Sequence, residues 1–91
     1  MSIDFDPAKD AVNRAKHGVS LALAAAGDWT AAFIAPDDRR DYGEPRWYAY
    51  LPIDGRVHVV VYKERDDITR IISLRRANPR EVRKYDELRT G

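Results

Sequence analysis

The 91-residue sequence contains no cysteine and a single methionine. Without cysteine, no disulfide can stabilise a small domain, and no thiolate can act as a nucleophile or a metal ligand. This absence fits a reducing compartment, so we expect a cytoplasmic protein. No apolar run approaches the ~20 residues needed to cross a bilayer. The acidic start, residues 1–6, lacks the apolar segment of a signal peptide, and we expect none.

The sequence also lacks the residue spacings typical of metal, cofactor and nucleophile sites. Its two histidines, His17 and His58, show no pattern such as H-E-x-x-H. No glycine-rich phosphate loop is present, and no serine has an evident catalytic partner. We therefore expect neither a metal nor a cofactor. Because His58 lies between two valines, we expect it to be an exposed strand residue without a catalytic role.

Charge is nearly balanced overall, with a formal net charge of +1, but it is unevenly distributed. Residues 1–62 carry 7 basic and 9 acidic groups, whereas residues 63–91 carry 9 basic and 6 acidic groups. Between Arg70 and Lys84 there are 6 basic groups and one acidic group, Glu81. This local excess predicts a surface that concentrates an anionic partner.

Helix signals lie at both ends of the chain. The first helix is predicted to begin after Asp6, which can accept hydrogen bonds from free N–H groups, and to end at Gly18. A second short helix is predicted after Ser20. A closing helix begins at Asn78, with Glu81 at the position of a capping box.

Alternating apolar residues between these helices predict strands. The predicted strands are residues 29–35, 46–53, 56–64 and 68–76, with Ile68, Ile72 and Leu74 directed to the core. Short turns at Asp54-Gly55 and Asp66-Asp67 require antiparallel pairing of the last three strands. The expected fold is α+β in a single domain over residues 1–91, with two short N-terminal helices, an antiparallel sheet of about four strands and a C-terminal helix.

Arginines are concentrated near the ends of the last two predicted strands. They could form a solvated face with surface ion pairs, or a site for phosphates or carboxylates. Arg65 and Arg75 belong to antiparallel neighbours, and Ile68 and Arg75 are separated by more than ~20 Å of extended chain. The sequence therefore predicts two separate cationic ends rather than one cluster.

Other candidate groups have both a structural and a chemical interpretation. Lys16 and His17 either stabilise the end of a helix dipole or border a cleft, where His17 is expected to stay protonated as an acid or phosphate ligand. Glu64 beside Arg65 is either an ion-pair partner or a base for a ribose 2′-hydroxyl. For the tyrosines, including Tyr62, packing is favoured over stacking on unpaired bases.

In order along the chain, D-F-D-P-A-K, N-R-A-K-H-G-V-S, D-R-R-D-Y-G-E-P-R, Y-K-E-R and R-I-I-S-L-R-R-A resemble the BrnT family. BrnT proteins are toxins of bacterial type II toxin–antitoxin modules. The resemblance implies a RelE/ParE-like fold and a metal-independent ribonuclease that inhibits translation. It also implies neutralisation by a BrnA-like ribbon-helix-helix antitoxin, in a hetero-oligomer that binds operator DNA and represses its own operon.

The resemblance also assigns roles to residues. The family's K-H-G corresponds to Lys16, His17 and Gly18, its E-R to Glu64 and Arg65, and its S-x-R-[KR] to Ser73, Arg75 and Arg76. The expected catalytic residues are His17, Glu64, Arg65 and Arg75. The expected substrate-binding residues are Lys16, Arg70, Arg76, Tyr62 and Tyr85. Phe5, where tryptophan is usual, and Lys63, where threonine is common, depart from the family pattern.

Two other functions remain open at this point. A chain with the same fold and no chemistry would serve only as a co-repressor with its partner, and would leave RNA intact. A ParE-like relative would inhibit DNA gyrase, and would cause DNA damage signalling with intact transcripts.

Overall fold

A computed structural model of the chain describes residues 2–90, which form one five-stranded sheet, with one α-helix after the first strand and one after the last. The strands are ordered β1-β5-β4-β3-β2. The strands are β1 (Ser2–Phe5), β2 (Phe33–Pro36), β3 (Trp47–Ile53), β4 (Arg56–Arg65) and β5 (Ile68–Arg76), and the helices are α1 (Pro7–His17) and α2 (Pro79–Thr90). None of the helices within residues 2–90 is long and apolar enough to cross a membrane.

Helix α1 has the predicted ends. The carboxylate of Asp6 accepts a hydrogen bond from the Ala8 N–H at 2.9 Å, and Gly18 follows the helix with a φ of 75°. The second short helix predicted after Ser20 is a 3₁₀ helix over Leu21–Ala26. Leu21 and Ala24 are its buried residues, and side chains three apart lie above one another in a 3₁₀ helix, which suits this spacing.

The sheet has five strands and is mixed, whereas the sequence predicted about four antiparallel strands. Strands β2 to β5 are antiparallel as expected, but β1 pairs in parallel with β5. Strand β1 was not predicted because it has only four residues and its partner lies far along the chain. The predicted strand 29–35 begins only at Phe33, because Trp29–Ala31 form a 3₁₀ turn.

An irregularity in β5 changes which side chains reach the core. Val61 pairs with Ser73 but Tyr62 pairs with Ile71, so Ile72 is an extra residue on β5. This bulge interrupts the alternation, and both Ile71 and Leu74 are buried in the core. The prediction that Ile72 lies in the core is therefore wrong, as it is for Ile68, which is 40% exposed.

The core lies on one side of the sheet, beneath α1 and the 3₁₀ helix. Its fully buried side chains include Leu21, Leu51, Val60, Ile71 and Leu74. His58 also lies on this side and is 4% exposed, so the expectation that it is exposed is wrong. Its Nδ1 lies 2.8 Å from the Arg56 carbonyl oxygen, and burial lowers its pKa. The opposite side of the sheet is open to a cleft.

Candidate active-site cleft

The open side of the sheet forms a cleft of about 500 Å³. Its floor consists of alternate residues of β3 and β4, which are Tyr48, Tyr50, Val59 and Val61. The rings of Tyr48 and Tyr50 are half-buried, with centroids 5.7 Å apart. The cleft thus combines an aromatic floor with charged walls.

Arg75 and Glu81 form one wall of this cleft. Two nitrogens of Arg75 donate hydrogen bonds to the two carboxylate oxygens of Glu81, at 2.7 and 2.8 Å. This pairing lowers the pKa of Glu81 and raises that of Arg75. Glu81 also accepts from the Asn78 N–H, and Asn78 accepts from the Glu81 N–H, both at 2.9 Å. The predicted capping box is confirmed, and it fixes the carboxylate that orients Arg75.

Helix α1 is joined to the edge of β5 through Asn13. The Asn13 amide donates to the Leu74 carbonyl at 2.8 Å and to the Val19 carbonyl at 2.9 Å, and its oxygen accepts from the Leu74 N–H at 3.1 Å. Strand β1 pairs with β5 only up to Ile71. Asn13 therefore takes the place of a strand at the free part of the β5 edge.

His17 lies one helical turn after Asn13, in a depression that also contains Lys16 and Ser73. Partial burial, and then the positive charges of Lys16 and Arg75, lower the pKa of His17 below its usual 6.5. The expectation that His17 stays protonated is therefore wrong. The helix dipole favours the cation, but burial and two neighbouring cations oppose it. At neutral pH the imidazole has a free lone pair.

A loop between β2 and β3 completes the cleft, and we call residues 37–46 the arginine loop. The buried carboxylate of Asp37 accepts hydrogen bonds from the Arg39 side chain at 2.7 and 2.9 Å and from the Tyr42 hydroxyl at 3.4 Å. Asp37 also donates its N–H to the Arg46 carbonyl. Sequence reasoning assigned no role to this loop, although its D-R-R-D-Y-G-E-P-R motif was visible, because irregular loops have no periodicity.

Neighbouring depressions on this face share lining residues. Ser73 belongs both to the depression that contains His17 and to one lined by the loop arginines, and Arg39 belongs to that second depression and to the tyrosine cleft. Of the predicted site residues, Lys16 and His17 thus line one of these depressions, and Arg75 lines the tyrosine cleft.

The other predicted residues do not join this cleft. Arg65 pairs with Ile68 at the β4–β5 turn, whereas Arg75 pairs with Val59. The predicted separation of the two cationic ends is confirmed. Glu64 is exposed beside that turn. Arg65 forms an ion pair with Glu44 at 3.4 Å and Arg70 forms one with Asp4 at 2.7 Å.

Two predicted substrate-binding tyrosines are buried. Tyr62 is 3% exposed and packs edge-to-face on Trp29, and burial raises its pKa to about 12. The Tyr85 hydroxyl donates to the Ala31 carbonyl at 2.7 Å. Neither ring has a free face for stacking on a base. Arg76 is exposed and pairs with His58, one residue after Arg75, so the alternation of β5 directs it away from the cleft.

The cleft and the depressions beside it present a neutral imidazole, a carboxylate-oriented guanidinium, further arginines and tyrosine hydroxyls. Within residues 2–90, no group of three or more His, Asp or Glu side chains is arranged to hold a metal ion. Fold and cleft together define a small α+β protein with a cationic, aromatic site on the open side of a mixed sheet. Such a site suits a ligand with phosphate groups and planar bases.

The family model described as "Ribonuclease toxin, BrnT, of type II toxin-antitoxin system" matches residues 5–81. The chain therefore belongs to the BrnT ribonuclease toxin family. Among solved structures, it is similar to the crystal structure of the Brucella abortus ribonuclease toxin, BrnT, with 27% sequence identity and a TM-score of 0.70. The match covers 86% of this chain and 97% of that one. Comparison with curated proteins gave no match.

Proposed function

We propose that the chain, as one toxin domain over residues 1–91, is an endoribonuclease that cleaves single-stranded RNA without a metal ion in the cleft on the open side of its sheet. The observation that carries this proposal is the position of His17 in a depression lined by Ser73 of β5, two residues before Arg75. Burial and the charges of Lys16 and Arg75 lower the pKa of this histidine. A base and a cation at one phosphate are the main requirements of transesterification by the neighbouring hydroxyl.

In the proposed reaction, His17 accepts the proton of a ribose 2′-hydroxyl. The 2′-oxygen attacks the adjacent phosphorus, the bond to the 5′-oxygen of the next nucleotide breaks, and a 2′,3′-cyclic phosphate forms. Arg75 stabilises the negative charge on the phosphate oxygens. The leaving 5′-oxygen takes a proton from Tyr50, which shares the cleft with Arg75. Burial raises the pKa of Tyr50, so its hydroxyl is protonated at neutral pH.

This assignment favours one of the two cationic ends as the catalytic one. Glu64 and Arg65 lie at the β4–β5 turn, opposite Thr69 and Ile68. These partners are six and seven residues from Arg75 along β5, or about 20 Å at the usual rise per residue. We therefore propose that Glu64 and Arg65 do not contact the scissile phosphate. Lys16, beside His17, is proposed to bind the substrate backbone.

The test compares variants at the two cationic ends in one RNA cleavage assay. A labelled RNA is incubated with the purified chain in the presence of a chelator, and the ends of the fragments are identified. His17→Gln and Arg75→Gln are expected to slow cleavage at least about 100-fold, and Tyr50→Phe by a similar factor. Glu64→Gln and Arg65→Gln are matched controls, expected to stay within a few-fold. Loss of activity in the two control variants alone would show that the active site lies at the β4–β5 turn instead.

The pH dependence of cleavage tests the role of His17 as the base. A histidine of lowered pKa is neutral over a wider pH range than an ordinary histidine. We therefore expect kcat/KM to rise with pH, with a midpoint below pH 6.5, and then to level off. An acidic limb centred above 6.5 would contradict this role. Fragments ending in 5′-phosphate, or cleavage that stops with the chelator, would contradict the proposed chemistry.

The fold class and the partner of the chain are proposed on the same basis as its activity. We propose a RelE/ParE-like fold, supported by the antiparallel run β2 to β5 followed by α2. We also propose neutralisation in the cytoplasm by a BrnA-like ribbon-helix-helix antitoxin whose acidic or helical segment covers the cationic cleft, in a complex that represses its own operon. Adding that partner should stop cleavage, and deleting its toxin-binding half should restore it. Intact RNA with operator binding would instead identify a co-repressor, and DNA damage with intact transcripts a gyrase inhibitor.

A further inference from the structure

The arginine loop and β5 together form a second cationic depression, of about 390 Å³, which the proposed reaction does not use. Its lining residues are Arg39, Arg40, Tyr42, Arg46, Val61, Ile72 and Ser73. Because Ser73 also borders the depression of His17, the two lie side by side on the same face. Any chain-like ligand bound at His17 can therefore continue into this depression.

Arg46 is held there by an aromatic ring rather than by a carboxylate. Its guanidinium carbon lies 4.1 Å from the centre of the Tyr42 ring, and that of Arg40 lies 5.1 Å from the same centre. The Nε of Arg46 is buried and has no hydrogen-bond partner within residues 2–90. The nearby carboxylate of Glu44 is bound to Lys63 at 2.8 Å and to Arg65 at 3.4 Å. The positive charge of Arg46 is therefore left without an ion-pair partner in the described part of the chain.

The loop itself is built to hold this arrangement. Asp37 binds the Tyr42 hydroxyl through its buried carboxylate and the Arg46 carbonyl through its N–H. The Tyr42 ring and the backbone of Arg46 are thus both held by the same buried residue. A planar guanidinium oriented by stacking keeps its terminal N–H groups for an acceptor, and phosphate oxygens match that fork.

We propose that Arg46, with Arg40, binds a phosphodiester of single-stranded RNA that is separate from the one that is cleaved. The proposal rests on the proposed function in taking RNA as the ligand of the cleft, and it adds a subsite that makes longer substrates bind better than short ones. Arg46 acts in binding and takes no part in the proton transfers at His17.

Binding is measured apart from cleavage by using labelled 2′-O-methyl RNA, which lacks the attacking hydroxyl. Fluorescence anisotropy at several salt concentrations gives Kd for an oligomer of about eight nucleotides and for a dinucleotide with one phosphate. Arg46→Gln should weaken binding of the oligomer about tenfold and reduce the salt slope by about 0.7, the value for one phosphate contact on a single strand. Binding of the dinucleotide should change little. Thermal unfolding of each variant checks that the loop change leaves the chain folded.

Two further variants separate a specific contact from general charge. Arg46→Lys keeps the charge, so it should keep most of the salt slope while losing part of the affinity. Arg83→Gln removes an exposed cation on α2 outside the depression and should change both quantities much less. The proposal is overturned if Arg46→Gln binds the oligomer as Arg83→Gln does, or if it weakens the dinucleotide equally. Cleavage of unmodified RNA by the parent chain tests the proposed function separately, so either can fail alone.

Discussion

Asn13 offers the sharpest test of how the fold positions the cleft. Its side chain makes three hydrogen bonds and is 5% exposed. Asn13→Ala would leave the N–H and carbonyl of Leu74 without partners at a buried strand edge, whereas the Val19 carbonyl is only partly buried. Each stranded buried group costs about 1–3 kcal/mol, so the two together should lower the free energy of unfolding by about 2–6 kcal/mol. For a domain of this size, each kcal/mol lowers Tm by roughly 4–8 °C.

Urea unfolding and thermal melts of the parent chain and of Asn13→Ala measure the difference in their free energies of unfolding. Val12→Ala is a matched control on the same helix, because Val12 is 65% exposed, and it should change the free energy of unfolding by less than about 0.5 kcal/mol. A loss below about 1 kcal/mol for Asn13→Ala would refute the view that Asn13 completes the β5 edge. RNA cleavage by Asn13→Ala should also fall at temperatures where it is folded, since His17 lies one turn further along the same helix.

Three further changes test other parts of the fold. Tyr85→Phe removes the 2.7 Å hydrogen bond to the Ala31 carbonyl and should lower the free energy of unfolding by about 1 kcal/mol, measured by urea unfolding. Asp67→Gly should raise it by about 0.5–1 kcal/mol, because Asp67 has a φ of 65° that glycine adopts without strain; a loss would contradict this reasoning. Glu81 has a lowered pKa in the folded chain, so its stabilising effect is complete above its ordinary pKa of 4.5 and is lost as pH falls through the folded value. Glu81→Gln should therefore flatten the decline in Tm below about pH 4.5, and an unchanged decline would rule out this contribution.

The sequence was informative where local rules determine the structure. The cap at Asp6, the glycine at the end of α1, the capping box at Asn78 and the bounds of β5 follow from short-range chemistry, and the structure has them. Strand β1 depends on a partner far along the chain, and the bulge at Ile72 follows from pairing rather than composition. Neither strand β1 nor the bulge is therefore indicated by the local sequence.

The candidate site, like the fold, could be predicted from the sequence only in part. The run of arginines on β5 is apparent in the sequence. Strand geometry alone predicts that Arg65 and Arg75 lie far apart. The lowered pKa of His17 was missed, because it depends on burial and on a cation from another element. The positions of Tyr62 in the core and of Arg46 on the Tyr42 ring likewise depend on tertiary packing.

The pairing of β1 with β5 sets a condition on when the protein becomes active during its own synthesis. Asp4 and Arg70 are 66 residues apart in sequence yet form an ion pair across these strands. Strand β5 also supplies Ser73 and Arg75 and receives Asn13, so neither the sheet edge nor the cleft exists until the chain through Arg76 has been translated. Contacts this distant in sequence form late in folding. A nascent chain therefore has no cleft until β5 has been made, and a product truncated before Arg76 has an incomplete one.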